Sequence, residues 1–173
     1  GPVSIIATDL DNDELPDLVI ANEFGEQSGR HLTILYNTDG GWSEPVPVNI
    51  NFDGKRDIPK VLGYGDFNED DNDDIIVGNA VRGELIVLLG TGETGTADQS
   101  PFFDSQVISL GQNVPIQDIA VLTGLEWRAD DEDQELPADR PNGVDMNADG
   151  HADIIVITPN TAYTLLNLGF DTA

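Results

Sequence analysis

One acidic phrase of nine residues recurs three times in this chain, and each copy runs straight into an apolar triplet. The copies are Asp9-Leu-Asp11-Asn-Asp13-Glu-Leu-Pro-Asp17, Asp66-Phe-Asn68-Glu-Asp70-Asp-Asn-Asp-Asp74 and Asp145-Met-Asn147-Ala-Asp149-Gly-His-Ala-Asp153. Their starts lie 57 and 79 residues apart, and the longer interval holds an acidic insertion at 126–142. With the insertion set aside, the repeating unit is about 60 residues. Repetition at this period marks stacked units, each too small to bury its own apolar faces.

The stretches between the phrases are short, apolar and rich in Val and Ile, and Gly, Asn, Asp and Pro separate them. Runs of this length without helical period predict strands. The first unit (1–54) is expected to hold strands near 4–8, 17–22, 31–37 and 45–50. The second (55–112) is expected to hold them near 59–64, 74–79, 84–89 and 105–110. The third (113–173) carries the insertion and is expected at 116–122, 153–158 and 161–167, without its last strand. Four antiparallel strands in a unit of this length make one blade of a β-propeller. The expected fold is therefore all-β: about three blades, the last incomplete, in a partial propeller or a piece of a larger assembly.

The phrase itself reads D-x-[DN]-x-D-x-x-x-D, with oxygen-bearing side chains at positions 1, 3, 5 and 9. Short Asp and Asn side chains on alternate residues of a tight loop can converge on one point. A hard cation such as Ca²⁺ takes six to eight oxygens. The expected ligands are Asp9, Asp11, Asp13 and Asp17; Asp66, Asn68, Asp70 and Asp74; and Asp145, Asn147, Asp149 and Asp153. The backbone carbonyls of Leu15, Asn72 and His151 would join them at position 7. Up to three Ca²⁺ ions are expected. Mg²⁺ fits less well because it demands a strict octahedron, and zinc and copper are disfavoured by the oxygen-only side-chain set. The loop is not an EF-hand, since position 12 is Ile20, Val77 or Val156 where that motif needs a bidentate Glu. Position 6 calls for a left-handed backbone, held by Glu14, Asp71 and Gly150. Without a cation, such carboxylates repel by about 1 kcal/mol per close pair even at the dielectric of bulk water.

The phrases resemble FG-GAP and VCBS repeats, the calcium-loop blades of integrin-α-type propellers and of many bacterial secreted proteins. The fullest likeness is Gly65-Asp66-Phe-Asn68-Glu-Asp70-Asp-Asn-Asp-Asp74-Ile-Ile-Val-Gly78-Asn-Ala80. The resemblance implies an extracellular, calcium-stabilised propeller with a structural, adhesion or recognition role toward a protein or glycan ligand. Two features depart from the family: fewer than three full blades where seven are usual, and the 126–142 insertion. The first implies a larger parent polypeptide or self-assembly in which neighbouring chains complete the blades.

The charge excludes other classes. The chain carries 33 Asp+Glu against 7 Lys+Arg, a formal net charge of -26. Such a surface repels phosphate backbones and anionic lipid heads, so neither nucleic-acid binding nor membrane insertion is expected. Cysteine is absent, which removes disulfides and thiolate chemistry. No catalytic constellation stands out: the regular carboxylates are accounted for by a metal, His31 has no recognisable triad partner, and Gly90-Thr-Gly92-Glu-Thr-Gly95 reads as an inter-strand loop. A non-enzymatic role is expected, and a glycosidase ranks last. A lectin-like alternative would use Trp127 or Tyr64 as a stacking platform. Trp42, after Gly40-Gly41, is expected to pack at a turn.

Overall fold

The β-branched runs form strands where the sequence places them. The computed structural model describes residues 1–23, 31–50, 59–96, 98–111, 114–122 and 151–167. The insertion at 126–142 and the third phrase up to position 150 lie outside them. The described residues are all-β, with no helix, and therefore none long and apolar enough to cross a membrane.

The first sheet joins β1 (Pro2–Thr8), β2 (Asp17–Asn22), β3 (Leu32–Leu35) and β6 (Val46–Val48) in that order. A two-stranded hairpin of β4 (Asn37–Thr38) and β5 (Gly41–Trp42) interrupts it. The second sheet runs β7 (Pro59–Gly65), β8 (Asp74–Asn79), β9 (Gly83–Gly90) and β10 (Phe102–Gly111). The third runs β11 (Asp118–Leu122), β12 (Asp153–Ile157) and β13 (Ala162–Leu165). Every pairing is antiparallel. The first two acidic phrases link the first strand of their sheet to the second, and the third lies between β11 and β12 in chain order.

The sheets stack face on face, and their burial patterns show why. In β2 buried residues alternate with half-buried ones, as expected for a sheet covered on one side, whereas all six residues of β8 are buried. The second sheet is the middle layer. Leu62, Ile75, Val77, Ile86 and Leu88 pack against Val19, Ala21, Leu32 and Ile34 of the first sheet. Ile76, Leu85, Val87 and Leu89 pack against Ile119, Ile154 and Val156 of the third. β1 lies beside β7, and β7 beside β11, so the first strands of the three sheets are neighbours. Gly63 and Gly78 permit the close approach: a Cβ at Gly78 would meet Val61 at 2.6 Å and Ile116 at 2.9 Å.

The same relation holds at both interfaces. Counting from each phrase, Val19 and Ile76 occupy one face, and Ile75 and Ile154 the other. The two faces left uncovered by described residues are correspondingly apolar. One presents Ile5, Leu18 and Ile20, with Ile5 58% exposed; the other presents Ile155 and Ile157, with Ile157 41% exposed.

Candidate metal centre

The loop following β1 is wound by its first carboxylate. Asp9 Oδ1 accepts a hydrogen bond from the Asp13 amide (3.1 Å) and Oδ2 from the Glu14 amide (2.9 Å). Asp66 does the same in the second loop, accepting from Asp70 (3.2 Å) and Asp71 (3.0 Å). At position 5, Asp13 accepts from the Leu15 amide and Asp70 from the Asn72 amide. The tight turn needs left-handed backbone at position 6, as expected: Glu14 has φ 68° and Asp71 φ 63°. A second left-handed residue sits at position 4, Asn12 (φ 58°) and Glu69 (φ 62°), which the residue spacing did not reveal. Asn is a usual occupant of that conformation; Glu is not, and gives no sequence signal.

Position 9 is a tie between strands. Asp17 is fully buried; it accepts from the Leu10 amide (3.0 Å) and from the Asn37 amide beyond β3 (2.8 Å). Asp74, also fully buried, accepts from Phe67 (2.8 Å) and from Gly90 at the end of β9 (2.8 Å). Asp153 accepts from Asn167 (2.9 Å), beyond β13. In the first two loops one carboxylate thus fastens the phrase to its own start and to the end of the third strand of its sheet; for Asp153 the tie past the third strand is the one within the described residues. Burial pushes the Asp17 and Asp74 carboxyls up to about 6, against the partial relief of their backbone hydrogen bonds. Asp73, at position 8 of the second loop, is raised mainly by burial too, with Asp9 and Asp66 adding repulsion; the Thr8 hydroxyl donates to it.

In the first loop, Asp9, Asp11 and Asp17 bring carboxylate oxygens within 4.8 Å of one another. Among the described residues no other three carboxylates meet this way: the expected ligand Asp13 stands outside this group, and Asp66, Asp70 and Asp74 of the second loop do not form one; position 3 there is Asn68, whose amide donates to Asp70 (2.9 Å). At position 3 both loops keep an oxygen shielded from solvent without a hydrogen-bond partner, Asp11 Oδ1 and Asn68 Oδ1. The residues present in the two described loops therefore fit a hard cation: the donors are oxygens, and one acceptor in each is left open.

The remaining expected residues divide as follows. Asp145, Asn147 and Asp149 lie outside the described residues, as does Trp127. His151 is half-buried and pairs with Glu69 of the second loop. Tyr64 is 42% exposed on β7. Trp42 does not pack into its turn: it stands 55% exposed on β5, paired with Asn37. His31 has a structural partner, since its Nδ1 accepts from the Ile50 amide (3.1 Å). No family model and no curated protein matches the chain. The functional reading accordingly rests on the loops.

Proposed function

We propose that this chain is a calcium-stabilised β-propeller module of FG-GAP/VCBS type, acting outside the cell in a structural, adhesion or recognition role rather than as a catalyst. The carrying observation is the open, shielded oxygen at the same loop position in both described loops. A buried acceptor without a donor costs roughly 1–3 kcal/mol, and a cation removes that cost. The propeller reading is supported by the adjacent first strands and by the two equivalent sheet interfaces. Calcium would be held by Asp9, Asp11 and Asp17 with the Leu15 carbonyl, and by Asp66, Asn68, Asp70 and Asp74 with the Asn72 carbonyl. The cation supplies charge neutralisation that holds each loop, and through it the first two strands of each sheet. Thermal unfolding with calcium and with chelator tests this, with a higher melting temperature expected in calcium. Equal melting temperatures would remove the metal from the account.

A second reading concerns assembly. The uncovered faces of the first and third sheets are the counterparts of faces that already pack inside the stack. Ile5, Leu18 and Ile20 correspond to Leu62, Ile75 and Val77; Ile155 and Ile157 correspond to Ile76 and Gly78. A further unit of the same kind, from the same polypeptide or a neighbouring copy, would cover them by repeating the existing interface.

A further inference from the structure

We propose that the first two acidic loops bind cations cooperatively, through a clasp of Asn12, Asn72 and the 90–95 turn in which Asn12 and Thr94 are positioning residues. This rests on the calcium reading above and adds the regulation of that site.

The clasp has three contacts, all between segments remote in sequence. The Asn12 amide donates to Asn72 Oδ1 (2.8 Å), joining position 4 of the first loop to position 7 of the second. Glu69 and His151, again positions 4 and 7, pair across the next two loops. The Thr94 hydroxyl donates to Asp11 Oδ2 (2.6 Å), so a residue of the second sheet's β9–β10 connection holds a position-3 carboxylate of the first loop. The Gly95 amide donates to the buried hydroxyl of Tyr36 (2.8 Å), just beyond β3 in the first sheet. Gly92, at φ 65°, lies under the Asn12–Asn72 pair, where any Cβ would collide with both side chains.

These contacts lead from one loop to the other by two short routes. Calcium in the second loop would engage the Asn72 carbonyl and so fix the residue whose side chain holds Asn12, next to Asp11 and Asp13. It would also fix Asp74, whose Oδ1 holds the Gly90 amide (2.8 Å) at the start of the turn that ends on Asp11 through Thr94. A cation in either loop therefore orders part of the other, and the second pays less ordering entropy. Repulsion between the two cations opposes the effect, but salt screens it over about 8 Å at 0.15 M ionic strength, whereas the contacts are unscreened. The net coupling is positive.

The test is a calcium titration of the chelator-stripped chain at 0.15 M salt, read by amide NMR at Glu14 for the first loop and Asp71 for the second. Both amides donate to the position-1 carboxylate of their own loop (2.9 and 3.0 Å). Asp70→Asn weakens the second site while keeping an acceptor for the Asn72 amide. It is expected to raise the calcium midpoint of the first loop at least about five-fold, the lower end of usual couplings. Asp17→Asn, which removes a ligand carboxylate of the first loop while keeping an acceptor, must raise the midpoint of the second loop by a comparable factor, because linkage is reciprocal. With Asn12→Gly, which keeps the left-handed backbone, or with Thr94→Val, the first loop should bind calcium with a midpoint that responds less to Asp70→Asn. If both loops titrate but neither midpoint responds to the other's substitution, the coupling is wrong and the calcium reading stands. If neither amide responds to calcium, both fail.

Discussion

Asp74→Asn separates the two duties of the position-9 carboxylate. Asp74 is fully buried and accepts two backbone N–H bonds of 2.8 Å. Burial pushes its carboxyl up to about 6 from an ordinary 3.8, which corresponds to roughly 3 kcal/mol against the ionised form at pH 7. The amide removes that charge but keeps one acceptor, losing one hydrogen bond and leaving one donor unmet at about 1–3 kcal/mol. In chelator the two effects nearly cancel, and the variant should unfold within about 2 kcal/mol of the wild type, on the stable side. In calcium the balance reverses. At millimolar calcium and a dissociation constant of about 10⁻⁴ M, one site adds about 1.4 kcal/mol. For a domain of this size that is a melting shift of roughly 3–6 °C per site. Asp74→Asn should lose the second loop's share. Calorimetric or circular-dichroism melts of both proteins, with and without chelator, give all four values. A variant with the full wild-type calcium increment would show that Asp74 serves no cation, and one destabilised by several kcal/mol in chelator would refute the burial argument.

Other substitutions and conditions probe the remaining parts. In chelator, stability should rise as pH falls from 7 toward 5: the folded carboxyls of Asp17 and Asp74, at about 6, hold protons more tightly than the unfolded ones at 3.8. Over the same window the calcium increment should shrink, because protons compete for the ligands; chemical denaturation at stepped pH reads both slopes, and parallel slopes would refute the assignment. Gly78→Ala should cost about 1–3 kcal/mol by overpacking against Val61 and Ile116, at 2.6 and 2.9 Å, while Gly40→Ala, 3.8 Å from its nearest neighbour, should be near neutral in denaturant melts. If copies of the chain stack head to tail, light scattering should show association that Ile20→Glu or Ile157→Glu each interrupts, while the two variants mixed still pair through their intact faces; a monomer at all concentrations would count against a self-completing assembly.

The strands were legible because burial wrote itself into composition. Ile75-Ile-Val-Gly-Asn could be a middle strand because both its faces meet other sheets, and Leu18-Val-Ile kept the same apolar pattern although one of its faces is only half-buried. The β4–β5 hairpin was not legible, since two residues per strand leave no periodicity to read, and Trp42 went to the surface because the sheet core closes without it. The ligand spacing was visible, and so was the left-handed position 6. Position 4 was not, because Glu69 is an unusual occupant of that conformation and Asn12 alone makes no pattern. Nor could spacing announce that Thr94 meets Asp11 or that Asn12 meets Asn72, since no local pattern encodes which turns of separate sheets lie side by side.

The Asp at position 9 has a structural duty apart from any cation. Asp17, Asp74 and Asp153 each bind a backbone amide at or just beyond the end of the third strand of their own sheet, so selection for the strand tie alone would preserve an acid there. Positions 1 and 5 are similarly engaged in winding the loop. A regular row of carboxylates is thus explained in large part by backbone hydrogen bonds, and its regularity is weak support for a cation. Position 3 differs. Asp11 Oδ1 and Asn68 Oδ1 meet no donor, although the carboxylates at positions 1, 5 and 9 of both loops have found one. An acid and an amide share only a side-chain oxygen at that place, and an oxygen kept open in two loops of separate sheets serves a ligand better than it serves the fold.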